Sequence, residues 1–426
     1  MRPARARRAP LGPADLRGVA RLAVDATLGL TDLVEAVHER LARLPGWPAA
    51  DTPRRQGRTG GITGLVYRSV RGVTRLSGAG VDALLGQLNT LLEPATAAEP
   101  LTQREALLAA LNGVLGDHLA ATSNPLAIPM AWRVQGQALS LQRQALAERL
   151  PDATEQLLVL IHGLCMNDLQ WSRQGHDHGQ ALGRALGMSP VYLHYNSGRH
   201  ISTNGAELAC LLERLVEQWP RPLKRVVLLG HSMGGLLARS ALHQAAQSGH
   251  RWPGRVSDLV CLGTPHHGAP LERADHWIDI LLDATPYAAP FARLGRIRSA
   301  GITDLRHGKL LDEDWAVSGQ HTGRTAGHTD TRRPVPLPPS VRCFAAAATI
   351  GQRTGDLRDR LLGDGLVPLD SALGRHADPR RRLAFADERQ QIVHGIHHMD
   401  LLSDAQVHAQ LLRWLGPVAT EPGPAA

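Results

Sequence analysis

Lysine is nearly missing from this chain: Lys224 and Lys309 are the only two in 426 residues. Neither stands in a G-x-x-x-x-G-K-[ST] run after a strand, which excludes a Walker-type phosphate loop and nucleotide hydrolysis of that kind. Aromatic residues are also scarce, at 4%. Arginine produces a net charge of +8, but apart from Arg2, Arg5, Arg7 and Arg8 it is spread along the chain. No zinc-finger or RNA-recognition signature pairs those charges with stacking aromatics, so nucleic acid is not an expected partner. The four cysteines, Cys165, Cys210, Cys261 and Cys343, lie far apart with no C-x-x-C pair. That spacing excludes a disulfide framework and suits a reducing compartment. No stretch of 18 apolar residues occurs, and Arg17, Arg21, Asp25 and Asp32 interrupt every early apolar stretch. Neither a membrane span nor a secretory leader is expected, and the chain reads as cytoplasmic, with peripheral membrane association left open.

What the chain does have is 43% apolar and 20% charged residues, the balance of a globular protein. Its length allows one large domain with an extension, or two domains. Residues 1–125 read as an N-terminal helical extension. Its clearest helix is Ile62 to Leu92, where Arg68, Arg71 and Arg75 can form a basic face over an apolar stripe. Such a helix can lie on a membrane surface, and the same stripe can equally pack on the rest of the protein. A hairpin from Met130 to Leu141, turning at Gln135-Gly136, opens a second regime over residues 126–417. There, short apolar strands alternate with helices, which predicts a mostly parallel sheet with helices on both faces. The predicted strands are Leu157 to Ile161, Val191 to Tyr195, Val226 to Leu229, Leu259 to Leu262, Val341 to Thr349 and Leu383 to Val393. Helices are predicted near Gly179 to Leu186, Gly205 to Trp219, Gly234 to Gln247 and Asp404 to Leu415. Within the long interruption, residues 266–317 read as a lid-like insertion carrying Trp277 to Leu282, Tyr287 and Phe291, and residues 318–340 as a disordered linker. Residues 418–426 read as a disordered tail.

Gly230-His231-Ser232-Met233-Gly234 is the one G-x-S-x-G of the chain. It follows the strand run Arg225 to Leu229 and precedes a helix, so Gly230 and Gly234 allow a tight strand-turn-helix elbow that lifts Ser232 above the sheet edge. A serine attacking a carbonyl needs a base for its proton and N–H donors for the oxyanion. The Met233 N–H is one such donor. The second is expected from Leu164, after a strand ending in His162-Gly163, with Gly163 permitting close backbone approach. An acid and a base should then follow in that order. Asp364, between two glycines, is the candidate acid, with Asp370 its rival. Among His394, His397 and His398 the chosen base is His398. His162, His266 and His267 are expected to shape the pocket. His176, His178 and the histidines near 394 invite zinc, yet no H-E-x-x-H or paired-Cys spacing supports a catalytic metal, and no metal or cofactor is expected.

Leu160-Ile161-His162-Gly163-Leu164, Gly230-His231-Ser232-Met233-Gly234-Gly235, Leu262-Gly263-Thr264-Pro265-His266-His267-Gly268, Gly363-Asp364-Gly365-Leu366-Val367-Pro368 and His398-Met399-Asp400-Leu401 together resemble the lipase and esterase branch of the α/β-hydrolases. The likeness extends to bacterial lipases and GPI inositol-deacylase-like domains and spans about residues 128 to 416. It implies an α/β-hydrolase fold, Ser232 as nucleophile, Asp364 as acid and His398 as base. It also implies a small-molecule or lipid acyl ester as substrate. The family's base is often preceded by Asn; here His397 stands there, so the choice between His397 and His398 stays open. Some bacterial lipases bind a structural calcium near the Asp after that His, the place of Asp400. An acyltransferase or thioesterase with the same triad, or a non-catalytic lipid-binding or membrane-surface protein on the same fold, are the alternatives. Oligomeric state is not legible.

Overall fold

The computed structural model describes residues 13–41, 69, 71, 102–269, 299–316, 330, 332–351 and 363–416. The chain divides into two compact units, residues 1–101 with 119–127, and residues 102–118 with 128–426. No helix among the described residues is long and apolar enough to cross a membrane.

In the first unit, helix α1 (Pro13–Leu41) is held by polar contacts near its start. Asn124 Nδ2 donates to the Gly18 carbonyl at 3.1 Å, and Arg21 to the Ser123 carbonyl at 3.0 Å. Arg71, expected on an exposed basic face, is instead buried and donates to the Asp32 carboxylate at 2.7 Å. A guanidinium taken out of water needs such a partner, and its charge is spent inside the unit. Apart from Ser69 and Arg71, the predicted helix Ile62 to Leu92 lies outside the described residues.

The second unit is built on one sheet of eight strands: β1 (Ala131–Val134), β2 (Gln137–Ala138), β3 (Gln156–Ile161), β4 (Ser189–His194), β5 (Arg225–His231), β6 (Val256–Leu262), β7 (Arg342–Thr349) and β8 (Gln390–His394). Their order is β2-β1-β4-β3-β5-β6-β7-β8. The hairpin strand β1 runs antiparallel to β2 and β4, and all other pairs are parallel. Gln135 and Gly136 both take positive φ, 54° and 74°, the two-residue turn whose twist matches that of the strands. Leu157 through Ile161 are fully buried, as a central parallel strand covered on both faces must be.

Besides two four-residue helices, Glu313–Ala316 and Leu369–Ala372, the described helices of this unit are α2 (Thr102–Ala121, of which residues 102–118 belong here), α3 (Arg143–Arg149), α4 (His178–Leu186), α5 (Ile201–Gln218), α6 (Met233–Gln247), α7 (Ala300–His307) and α8 (Ala405–Leu415). The predicted helices and strands recur within a few residues, with one exception. The last strand, expected from Leu383, starts only at Gln390, because residues 387–389 close a 3-10 turn and Phe385 turns inward. Helix α2 is tied into this unit: the Ile128 N–H donates to Asn112 Oδ1 at 2.9 Å, Asn196 Nδ2 to the Gly116 carbonyl at 2.8 Å and Ser299 Oγ to the Gly113 carbonyl at 2.6 Å. Of the lid-like stretch, Trp277 to Leu282, Tyr287 and Phe291 lie outside the described residues, as do residues 418–426. Residues 332–340, expected as part of a linker, are pinned: buried Arg239 of α6 donates to the Val335 carbonyl at 2.5 Å, and Arg332 pairs with Asp330 at 2.6 Å.

Parallel register aligns Ile161 of β3 with Gly230 of β5, His231 with Leu262 of β6, and Leu262 with Ala346 of β7. The carboxyl ends of four neighbouring strands therefore open at one edge, the position where sheets of this kind carry their sites.

Candidate active site

Ser232 is the hinge between β5 and α6. Its φ of 54° and ψ of −122° are unusual for a non-glycine residue, a conformation that costs on the order of 1–3 kcal/mol and persists only where the surroundings enforce it. The Ser232 N–H donates to the Leu262 carbonyl at 2.8 Å, and the Gly235 N–H to the Ser232 carbonyl at 3.1 Å. Helix α6 can come this close to β3 because residue 234 lacks a side chain: a Cβ there would sit 2.1 Å from the Ile161 carbonyl oxygen. The helix N-terminus lies directly after Ser232, and its dipole favours negative charge at that point.

The acid and base candidates meet. Asp364 is buried; its Oδ1 accepts the Leu366 and Val367 N–H groups at 3.0 and 2.8 Å, and its Oδ2 lies 2.6 Å from Nδ1 of buried His398. The His398 N–H also donates to the Asp364 carbonyl at 3.2 Å. The two rivals are placed elsewhere. Asp370 is exposed beside Arg375, 3.7 Å away, and His397 is exposed, its N–H bonded to Asp400 Oδ2 at 3.0 Å. The imidazole of His398 covers Gly263, where a Cβ would approach its Cε1 to 2.9 Å, and Gly263 directly follows the Leu262 carbonyl that holds Ser232. Serine, imidazole and carboxylate thus share one corner of the sheet edge.

On the other side, the loop after β3 touches the elbow: a Cβ on Gly163 would lie 3.0 Å from Ser232 Cβ. His162, expected to line the pocket, is fully buried beneath this loop and stacks on Tyr195 with ring centroids 4.3 Å apart. Burial pushes its imidazole down to about 3, so it is neutral. Its Nδ1 lies 2.8 Å from the Gly163 carbonyl, which can only accept, so Nδ1 carries the proton. Tyr195 donates to the His162 carbonyl at 2.9 Å. In a planar trans peptide the N–H points opposite the carbonyl, so pulling the Gly163 carbonyl toward His162 turns the Leu164 N–H away from that ring.

His266 and His267, the other expected pocket residues, face a different space. With Arg239, Leu310, Arg332 and Val335 they line a cavity of about 60 Å³ whose walls include none of Ser232, Asp364 and His398. Arg239 donates to His266 Nδ1 at 3.2 Å, and burial keeps His266 well below its usual range. The reason is geometric: after Gly263 the chain turns along α6 and away from the nucleophile, a direction no spacing rule conveys.

Two groups of residues escaped the sequence reading. His231, beside the nucleophile, is buried with its ring 4.8 Å from that of His398 and its Nε2 3.3 Å from the His398 carbonyl; burial and the neighbouring His398 keep it well below its usual range. Under the β3 loop, Asp168 lies 3.1 Å from His194 Nδ1 and 3.3 Å from Arg133, which also pairs with Glu105 at 2.8 Å. Burial works to raise the Asp168 carboxyl, but the bond to His194 and the Arg133 charge together outweigh it and hold the group below the usual carboxylate range. A histidine inside a G-x-S-x-G was a visible signal; a cluster spread over four elements was not. As for cations, Asp400 does not suit calcium: one oxygen accepts the His397 N–H, and the Arg173 guanidinium stands 3.9 Å from the other. A separate trio, His176, His178 and His408, brings three imidazoles together.

Residues 154–331 match the family model described as the PGAP1-like alpha/beta domain. No curated protein matches the chain. Among solved structures, it is similar to the Bacillus licheniformis lipase BlEst2 in mature form, with 20% identity, a TM-score of 0.39 and coverage of 61% of this chain and 90% of that one. It is also similar to the Staphylococcus hyicus lipase, with 16% identity, a TM-score of 0.32 and coverage of 62% and 94%. The RedJ thioesterase of prodiginine biosynthesis from Streptomyces coelicolor has 19% identity, a TM-score of 0.33 and coverage of 62% and 87%. Taken with the family match over residues 154–331, a sheet of this order whose fifth strand ends in a glycine-flanked serine turn gives the second unit an α/β-hydrolase fold.

Proposed function

We propose that the protein is a serine-dependent hydrolase of carboxylic esters, with residues 102–118 and 128–416 as its catalytic part. One observation carries the reading: the 2.6 Å contact between His398 Nδ1 and Asp364 Oδ2, buried beside the Ser232 elbow. Because Nδ1 is committed to the carboxylate, Nε2 is the nitrogen left to take the Ser232 proton. The Ser232 oxygen then bonds to the substrate carbonyl carbon, and the developing oxyanion is met by the Leu164 and Met233 N–H groups. Collapse of the tetrahedral species expels the alcohol, which takes its proton from His398 and leaves an acyl-Ser232 ester. Water, deprotonated by the same imidazole, releases the acid and restores the serine. The substrate class is a small-molecule or lipid acyl ester.

A fluorophosphonate probe tests this reading. The full chain should be labelled at Ser232 and should hydrolyse p-nitrophenyl esters, and Ser232→Ala should abolish the label. Labelling that survives in Ser232→Ala, or a folded wild type that neither labels nor hydrolyses any ester, would reject it.

A further inference from the structure

We propose that His176, His178 and His408 form a binding site for a zinc-class divalent cation, which fastens the start of α4 to the closing helix α8. The ligating atoms of the three imidazoles lie within 4.8 Å of one another. His178 and His408 are nearly parallel, 10° apart at 5.6 Å, while His176 stands edge-on to both, at 4.6 and 4.8 Å.

The tautomer of His178 is already set for coordination. Its Nε2 lies 3.0 Å from the Leu401 carbonyl. That oxygen can only accept, so Nε2 carries the proton and Nδ1 presents a lone pair, 2.8 Å from His176 Nε2. A ligating histidine that gives its second N–H to a backbone carbonyl is the arrangement by which proteins orient imidazoles toward a metal. His408 Nδ1 is buried with no hydrogen-bond partner, so one nitrogen of that ring is unaccounted for by the protein. His178 is buried while His176 and His408 are half-buried, so the trio is partly open to solvent.

Donor chemistry narrows the ion. Three imidazoles without a carboxylate or thiolate suit zinc, nickel or copper and are poor ligands for magnesium or calcium. Tetrahedral bonds of 2.0–2.1 Å require nitrogens about 3.3 Å apart, and the present spacings, 2.8 Å for one pair and up to 4.8 Å for the set, bracket that value. Water would complete the coordination. The site is distinct from the Ser232 corner, yet Leu401 lies in the 3-10 turn His398–Leu402 that carries the base candidate, so the cation would brace that turn from behind.

The test uses the tag-free full chain, stripped with a chelator and titrated with Zn²⁺. Expected are one zinc per chain by elemental analysis, a rise of several degrees in Tm that chelation reverses, and visible d–d bands with Co²⁺. His176→Ala and His408→Ala should each weaken zinc binding by about 10- to 100-fold or more. Their Tm should stay near that of the stripped wild type, which shows that they fold. A stripped wild type that takes up no zinc at micromolar concentration would overturn the proposal. So would undiminished binding in the His176→Ala/His408→Ala double variant. Neither result bears on the fluorophosphonate test at Ser232.

Discussion

At the scale of single residues, the arrangement around Asp364 separates orientation from charge. Two backbone N–H groups and one imidazole occupy its carboxylate. Asp364→Asn preserves the shape but offers an amide where His398 Nδ1–H needs an acceptor. If the amide turns its N–H₂ toward His398, the imidazole shifts its proton to Nε2 and loses its function as base. We expect kcat for a p-nitrophenyl ester to fall about 10³- to 10⁴-fold, with the circular dichroism spectrum unchanged. An Asp364→Asn variant with near-normal kcat would remove the carboxylate from the proposed mechanism. How far this corner was legible in the sequence depends on what kind of relation held it together. Ser232, Asp364 and His398 could be picked out as candidates because each sits in a local pattern and their order along the chain is constrained. His266 and His267 misled because a histidine pair after a strand resembles a pocket wall whichever way the chain then turns. His408 was invisible as a partner of His178, since the two meet only through the packing of α8 on α4.

At the scale of elements, the alternation of apolar runs predicted the sheet because a strand buried on both faces must be apolar throughout, as Leu157 to Ile161 are. Helix α2 was not predicted as part of the same unit. Its hydrophobic residues announce burial but not the surface that buries them. The answer lies in a close approach: a Cβ on Gly113 would stand 2.1 Å from Cys165 Sγ, so the helix backbone lies against the residue next to Leu164. A second bond reinforces the loop from the β4 side, the Cys165 N–H donating to Ser197 Oγ at 3.0 Å. A chain beginning at residue 102 should therefore keep fluorophosphonate labelling, whereas one beginning at residue 126 should lose it along with a cooperative melt. Equal labelling of the two would show that α2 is no part of the catalytic unit.

For the molecule as a whole, buried neutral histidines predict acid sensitivity. His162, His231 and His266 are held below their ordinary value of 6.5, His162 at about 3. Above pH 6.5 these imidazoles are neutral folded or unfolded, and their contribution is fully present. As pH falls below 6.5, the unfolded chain takes up protons that the folded chain refuses. Stability is then lost down to the folded value, at about 1.4 kcal/mol per pH unit for each group. The urea midpoint should drop clearly between pH 7.5 and pH 5, and His162→Phe should show a shallower pH dependence. Midpoints that coincide at the two pH values would mean that these rings are protonated in the native state.

His398 is joined to Asp364 twice, through its ring and through its own N–H. The pair is consequently one mechanical piece: a displacement of the 398–402 turn carries the carboxylate with it, and the imidazole cannot spin without breaking its shorter bond. Under the proposed mechanism, acid and base would therefore travel as a single body during turnover, with Ser232 held separately by its own bond to the Leu262 carbonyl.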